Sequence, residues 1–111
     1  MSPSILEYFE HILTEINFIL EYSNGVSYND FIHNEILKRS FARSIEIIGE
    51  AAKKVPEDIL IKHSEIEWKA LSGMRDKLIH KYFGVDYELL WDAVINKIPD
   101  LKQKIEKIVN Q

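Results

Sequence analysis

The chain has 111 residues, no cysteine, 46% hydrophobic and 29% charged residues. That balance describes one globular domain spanning 1–111, long enough to bury a core without staples. It excludes disulfide and thiolate chemistry and makes a reducing cytoplasm the expected setting. A net charge of −4 argues against generic nucleic-acid binding, and no leader-like or membrane-length apolar run appears.

The charge is unevenly spread. Residues 1–37 carry six acids and no Lys or Arg, whereas residues 38–81 carry ten bases and seven acids. An acidic protein with one net-positive third has room for a local anionic-ligand site.

Ser2-Pro3 reads as a helix start, with Ser as cap and Pro at the first helical position. Ile5, Leu6, Phe9, Ile12, Leu13, Ile16, Ile19 and Leu20 follow at helical spacing, with Glu7, Glu10, His11, Glu15 and Asn17 opposite. This predicts an amphipathic helix to about Tyr22, broken at Ser23-Asn24-Gly25. Ser27 is placed to cap a short turn, Tyr28 to Ile32. A second long pattern runs from about His33 to Lys54, with a core stripe of Leu37, Phe41, Ile45, Ile48, Ala52 and Val55. Gly49 in its interior costs roughly 1 kcal/mol against Ala, which predicts close approach by another helix, from this chain or from a second subunit. Glu50 is then either a buried acceptor for a basic group such as Arg75 or a solvated residue beside Lys53 and Lys54.

Pro56 opens a short helical turn to Lys62, and His63-Ser64 reads as a loop. Ser64 and Glu67 have the spacing of a capping box. A third long helix is expected from about Glu65 to Tyr82, ended by Gly84, with Asp86 capping the next. The fourth pattern, Tyr87, Leu90, Trp91, Val94, Ile98, Leu101, Ile105 and Ile108, stays in phase across Pro99. It predicts a kink just before Pro99, or two short helices sharing a face. No strand alternation or internal repeat is visible. The expected fold is all-α, an up-and-down four-helix bundle. Its spare aromatic surface (Trp68, Tyr82, Phe83, Tyr87, Trp91) suits a two-fold dimer.

The chemistry concentrates in Met74–Tyr82. On a helical wheel Leu71, Arg75, Leu78, Ile79 and Tyr82 fall within roughly 80° of Trp68. An arginine on an apolar stripe must be paired, or must face a partner or an anionic ligand. His80 lies about 140° round from Arg75, with Asp76 four residues back on its own face and able to orient it. An always-charged bidentate donor, a group that titrates near neutral pH and a carboxylate suit phosphate chemistry. The plainer alternative is a surface cation and a solvated or core-packed histidine. His11, His33, His63 and His80 show no metal-ligand spacing, and there is no Gly-rich phosphate loop or nucleophile elbow. The expectation is an enzyme without metal or cofactor, if it is an enzyme.

Arg75, four residues, His80, one residue, Tyr82 resembles the signature of the HEPN superfamily in its HepT-like branch. The run Arg43-Ser44-Ile45-Glu46-Ile47-Ile48-Gly49-Glu50-Ala51-Ala52 is similar to that branch, as is His80-Lys81-Tyr82-Phe83-Gly84-Val85-Asp86. The branch's usual polar residue after the Arg is matched by Asp76, and the resemblance covers almost the whole chain. It implies a helical bundle that dimerises with the motif helices at the interface, so that two Arg75/His80 sets line one cleft. It also implies metal-independent ribonuclease activity with Arg75, Asp76 and His80 catalytic. The implied role is that of a type VII toxin silenced when a nucleotidyltransferase antitoxin of the MNT type transfers AMP to Tyr82. Two other functions stand beside it: a non-catalytic subunit that presents substrate or nucleotide to such a partner, and a purely structural dimerising bundle.

Overall fold

A computed structural model describes residues 3–80 and 84–110, with Ile79 and His80 described as backbone only. Ser2, expected as the first cap, lies outside the described residues. The molecule is all-α, with one minimal hairpin. Among the described residues, seven helices run α1 (Pro3–Ser23), α2 (Tyr28–Ile32), α3 (Glu35–Lys53), α4 (Glu57–Lys62), α5 (Trp68–Leu78), α6 (Tyr87–Asp92) and α7 (Ile98–Val109). Residues Ala93–Lys97 form a π-helical stretch that joins α6 to α7. The long rods α1, α3, α5 and α6–α7 make the expected up-and-down bundle. α3 packs against both α1 and α5, and α1 also packs against α7.

The expected apolar stripes are the core. Phe9, Ile12, Ile16 and Ile19 of α1 meet Phe41, Ile45 and Ile48 of α3 and Ile98, Leu101, Ile105 and Ile108 of α7, all buried. The short α2 exists because Ser27 and Asp30 form a reciprocal capping box. It is held by Phe31, which stacks on Phe41 at 5.8 Å and on Trp91 at 4.7 Å. Asn34 caps α3 and Asp86 caps α6, each through a side-chain oxygen that accepts a backbone N–H.

Three expectations need correction. The third long helix begins at Trp68 rather than near Glu65 and ends at Leu78 rather than Tyr82. The reason lies in where its last carbonyls find partners. Leu78 O accepts the N–H of Asp86 at 2.8 Å, and Ile79 and His80 pair antiparallel with Val85 and Gly84. Gly84 takes φ +82°, which only glycine adopts freely, and opens the second strand of the hairpin rather than ending the helix. Two-residue strands are too short to show alternation in sequence. At Pro99 the two-helix alternative holds, with α6 and α7 joined by the π-helical stretch and both burying the expected face. Proline has no N–H to bond and its ring crowds the carbonyl four residues back. The preceding turn widens, with Ile98 N–H bonding to Ala93 O, five residues back.

Candidate functional site

The site forms where α3 and α5 touch. Gly49 creates the contact. A Cβ there would stand 3.1 Å from the Leu71 carbonyl oxygen and 3.7 Å from the Arg75 Cβ. Without it the α5 backbone comes close, and Arg75 starts directly over α3. The close approach expected from Gly49 is therefore made within one subunit, by α5. Trp68 anchors the start of α5: its ring packs on Phe9 at 5.8 Å and its Nε1–H donates to His63 O at 3.0 Å.

Arg75 runs along α3 to Glu46, one turn before Gly49. Its Nε–H donates to Glu46 Oε2 at 3.0 Å, and Arg43 Nη1–H donates to Glu46 Oε1 at 2.7 Å. One carboxylate thus holds two guanidinium groups. Arg75 Nη1 also reaches Asp76 Oδ1 at 3.5 Å. Its Nη2 has no partner among the described residues, and the side chain is 40% exposed. A guanidinium tethered by one edge keeps donors free for an incoming anion.

The charges reinforce one another. The Arg43 hydrogen bond, followed by that of Arg75, holds the Glu46 carboxyl below the usual carboxylate range. The Glu46 hydrogen bond raises Arg75 above its ordinary value, with smaller contributions from Asp76 and Glu50.

The expectation that Glu50 could be the buried acceptor for Arg75 fails. Glu50 is exposed and acts on Arg75 only through its field, while Glu46 makes the bond. Sequence reasoning missed Glu46 as a site residue. The available signal was its place three residues after Arg43 and three before the helical glycine.

The helical-face argument that set Asp76 beside His80 also fails, because α5 ends at Leu78, two residues before His80. The structure brings Arg75, Asp76 and Glu46 together. The His80 side chain and Tyr82 lie outside the described residues. Among the described residues no group of three or more His, Cys, Asp and Glu is placed to hold a metal ion. No described helix is long and apolar enough to cross a membrane.

Comparison with known proteins gives a consistent answer. The family described as Ribonuclease HepT-like matches residues 12–108. A protein of Caldanaerobacter subterraneus named "Putative RNase TTE0752" is 46% identical over 104 residues, covering 94% of this chain and 93% of the relative. "Probable ribonuclease HepT" of Thermococcus cleftensis is 43% identical over 108 residues, covering 97% of this chain and 98% of the relative. "Putative RNase MJ0125" of Methanocaldococcus jannaschii is 45% identical over 98 residues, 88% of this chain and 84% of the relative. No solved structure matches the chain.

Proposed function

Because this chain belongs to the HepT-like ribonuclease family of the HEPN superfamily, we propose that it is a metal-independent endoribonuclease toxin, active as a homodimer. Its partner in this reading is a nucleotidyltransferase antitoxin that silences it by transferring AMP to Tyr82. The observation that carries the nuclease reading is Arg75, bound by Glu46 along one edge, 40% exposed, and without a partner at Nη2 among the described residues.

RNA carries a 2′-hydroxyl beside each scissile phosphate. In the proposed reaction a neutral His80 takes the 2′-hydroxyl proton and the freed oxygen attacks the adjacent phosphorus. The bond from phosphorus to the 5′-oxygen breaks, and a protonated His80 of the partner subunit delivers a proton to that oxygen. The products are a 2′,3′-cyclic phosphate and a 5′-hydroxyl. Arg75 neutralises the charge that builds on the non-bridging oxygens, and Asp76, whose Oδ1 lies 3.5 Å from Arg75 Nη1, helps to orient that guanidinium. A two-fold site would supply separate histidines for the base and acid roles, so that neither has to change protonation state and position between the two proton transfers. AMP on Tyr82 would set a bulky anion beside the motif and compete with RNA by charge and volume.

The test expresses the wild type, Arg75→Ala and His80→Ala separately and examines growth and total RNA. The wild type should arrest growth and yield fragments ending in cyclic phosphate, with cleavage by the purified enzyme unaffected by a chelator. Each variant should lose at least about 10²-fold in rate while keeping its fold. Tyr82→Phe should still cleave and should escape AMP transfer. Intact RNA in all cultures would overturn the nuclease reading in favour of a binding subunit. A Tyr82→Phe protein silenced by AMP would remove Tyr82 as the acceptor.

A further inference from the structure

The outer face of α3 carries a second feature beyond the Arg75 pair. A surface depression lies between α1 and α3, lined by Glu15, Phe18, Arg39, Ser40, Arg43 and Ser44. Arg39 and Arg43 are one helical turn apart, about 6 Å along the axis, and their side chains are 80% and 61% exposed. Arg39 Nε stands 3.6 Å from Glu35, and Arg43 spends Nη1 on Glu46. Each guanidinium therefore keeps further N–H donors for a ligand. On the α1 side Phe18 is half-buried, set edge-on to Phe41 at 6.1 Å and 4.9 Å from the ring of Tyr22, which is 52% exposed.

We propose that this depression is a docking shelf for single-stranded RNA, with Arg39 and Arg43 on successive phosphates and Phe18 beneath a base. Guanidinium groups beside an aromatic ring are the pairing that grips single strands without reading sequence, through charge and stacking together. Glu15 repels phosphate from the α1 side. The backbone is therefore directed along α3, and a base is left over Phe18. The shelf is also continuous with the candidate centre. Arg43 and Arg75 share the two oxygens of Glu46, so a strand leaving Arg75 meets Arg43 next and Arg39 one turn on. This accounts for an RNA ligand on a chain of net charge −4: the cations that matter are collected on one helix face.

The choice of ligand rests on the ribonuclease reading, so the test measures binding separately from cleavage. The probe is a fluorescein-labelled oligouridylate with every 2′-hydroxyl methylated, which removes the attacking group. Its anisotropy is followed with salt raised from about 50 to 200 mM. Arg39→Ala and Arg43→Ala should each weaken binding roughly tenfold, the size of one charge-assisted hydrogen bond. Each should also reduce the slope of log affinity against log salt by about 0.7, the value for one phosphate contact on a single strand. Arg39→Lys should restore the slope, which a merely structural role for Arg39 would not do. Circular dichroism confirms that the variants fold. No binding by the wild type, or unchanged affinity and slope in both alanine variants, would overturn the shelf. If the wild type binds with these salt slopes but leaves unmodified RNA uncut, the shelf stands and the nuclease reading falls.

Discussion

Glu46 accepts from two guanidinium groups, so its protonation state governs how firmly Arg75 is held. Its carboxyl is depressed by Arg43 first and Arg75 second. A carboxylate whose folded value lies below its ordinary 4.5 stabilises the native state fully above that ordinary value. The contribution is lost as pH falls through the depressed folded value, because protonation releases both arginines. Glu46→Gln removes this titration. The wild type should therefore melt higher than Glu46→Gln at neutral pH, and the difference in Tm should shrink as pH is lowered below the ordinary carboxylate value. A difference that stays constant with pH would show that packing, not charge, sets the role of Glu46. The paired spacing of Arg43 and Glu46 was legible in the sequence as an i, i+3 helical pair. That Arg75, 29 residues away, shares the same carboxylate was not.

Between elements, the α3–α5 contact hangs on one missing side chain. Alanine is favoured over glycine in a helix interior by about 0.8–1 kcal/mol. At Gly49 that gain is outweighed, because the new Cβ would sit 3.1 Å from a backbone carbonyl of α5. That backbone is held in place by the buried Trp68, Leu71 and Met74 on either side. Overpacking of this kind typically costs 1–3 kcal/mol. Gly49→Ala should therefore lose about 1 kcal/mol net and weaken RNA cleavage by moving Arg75. Gly73→Ala meets nothing within 4 Å and should gain about 0.5–1 kcal/mol. Urea unfolding of the two variants measures both. A stabilised Gly49→Ala would mean that α5 can retreat without penalty. Gly49 announced a close approach in the sequence, but a periodicity cannot name the helix that makes it.

For the whole molecule, the four-helix arrangement follows from amphipathic stripes that leave each rod one face to bury. The proposed reaction uses two chains, with one His80 as base and its counterpart in the partner subunit as acid. The purified protein should therefore have a solution mass of twice 13.0 kDa by light scattering. It should keep that mass in Arg75→Ala and His80→Ala, whose roles are chemical. A monomer that cleaves RNA would remove the second histidine from the mechanism.

The sequence by itself determined the all-α class, the four stripes, the caps at Ser27 and Asp86 and the choice of Arg75 as the residue that needs explaining. These depend on spacing within about ten residues, where helical geometry converts order along the chain into position on a face. The tertiary structure alone decided that Glu46 rather than Glu50 holds Arg75. It also decided that α5 stops at Leu78, that a π-turn absorbs Pro99 and that Arg43 links the Arg75 centre to the depression beside Phe18. Each of these turns on which partner a backbone or charged group finds across a helix contact. That choice is made by packing between segments far apart in the chain, and no local pattern encodes it.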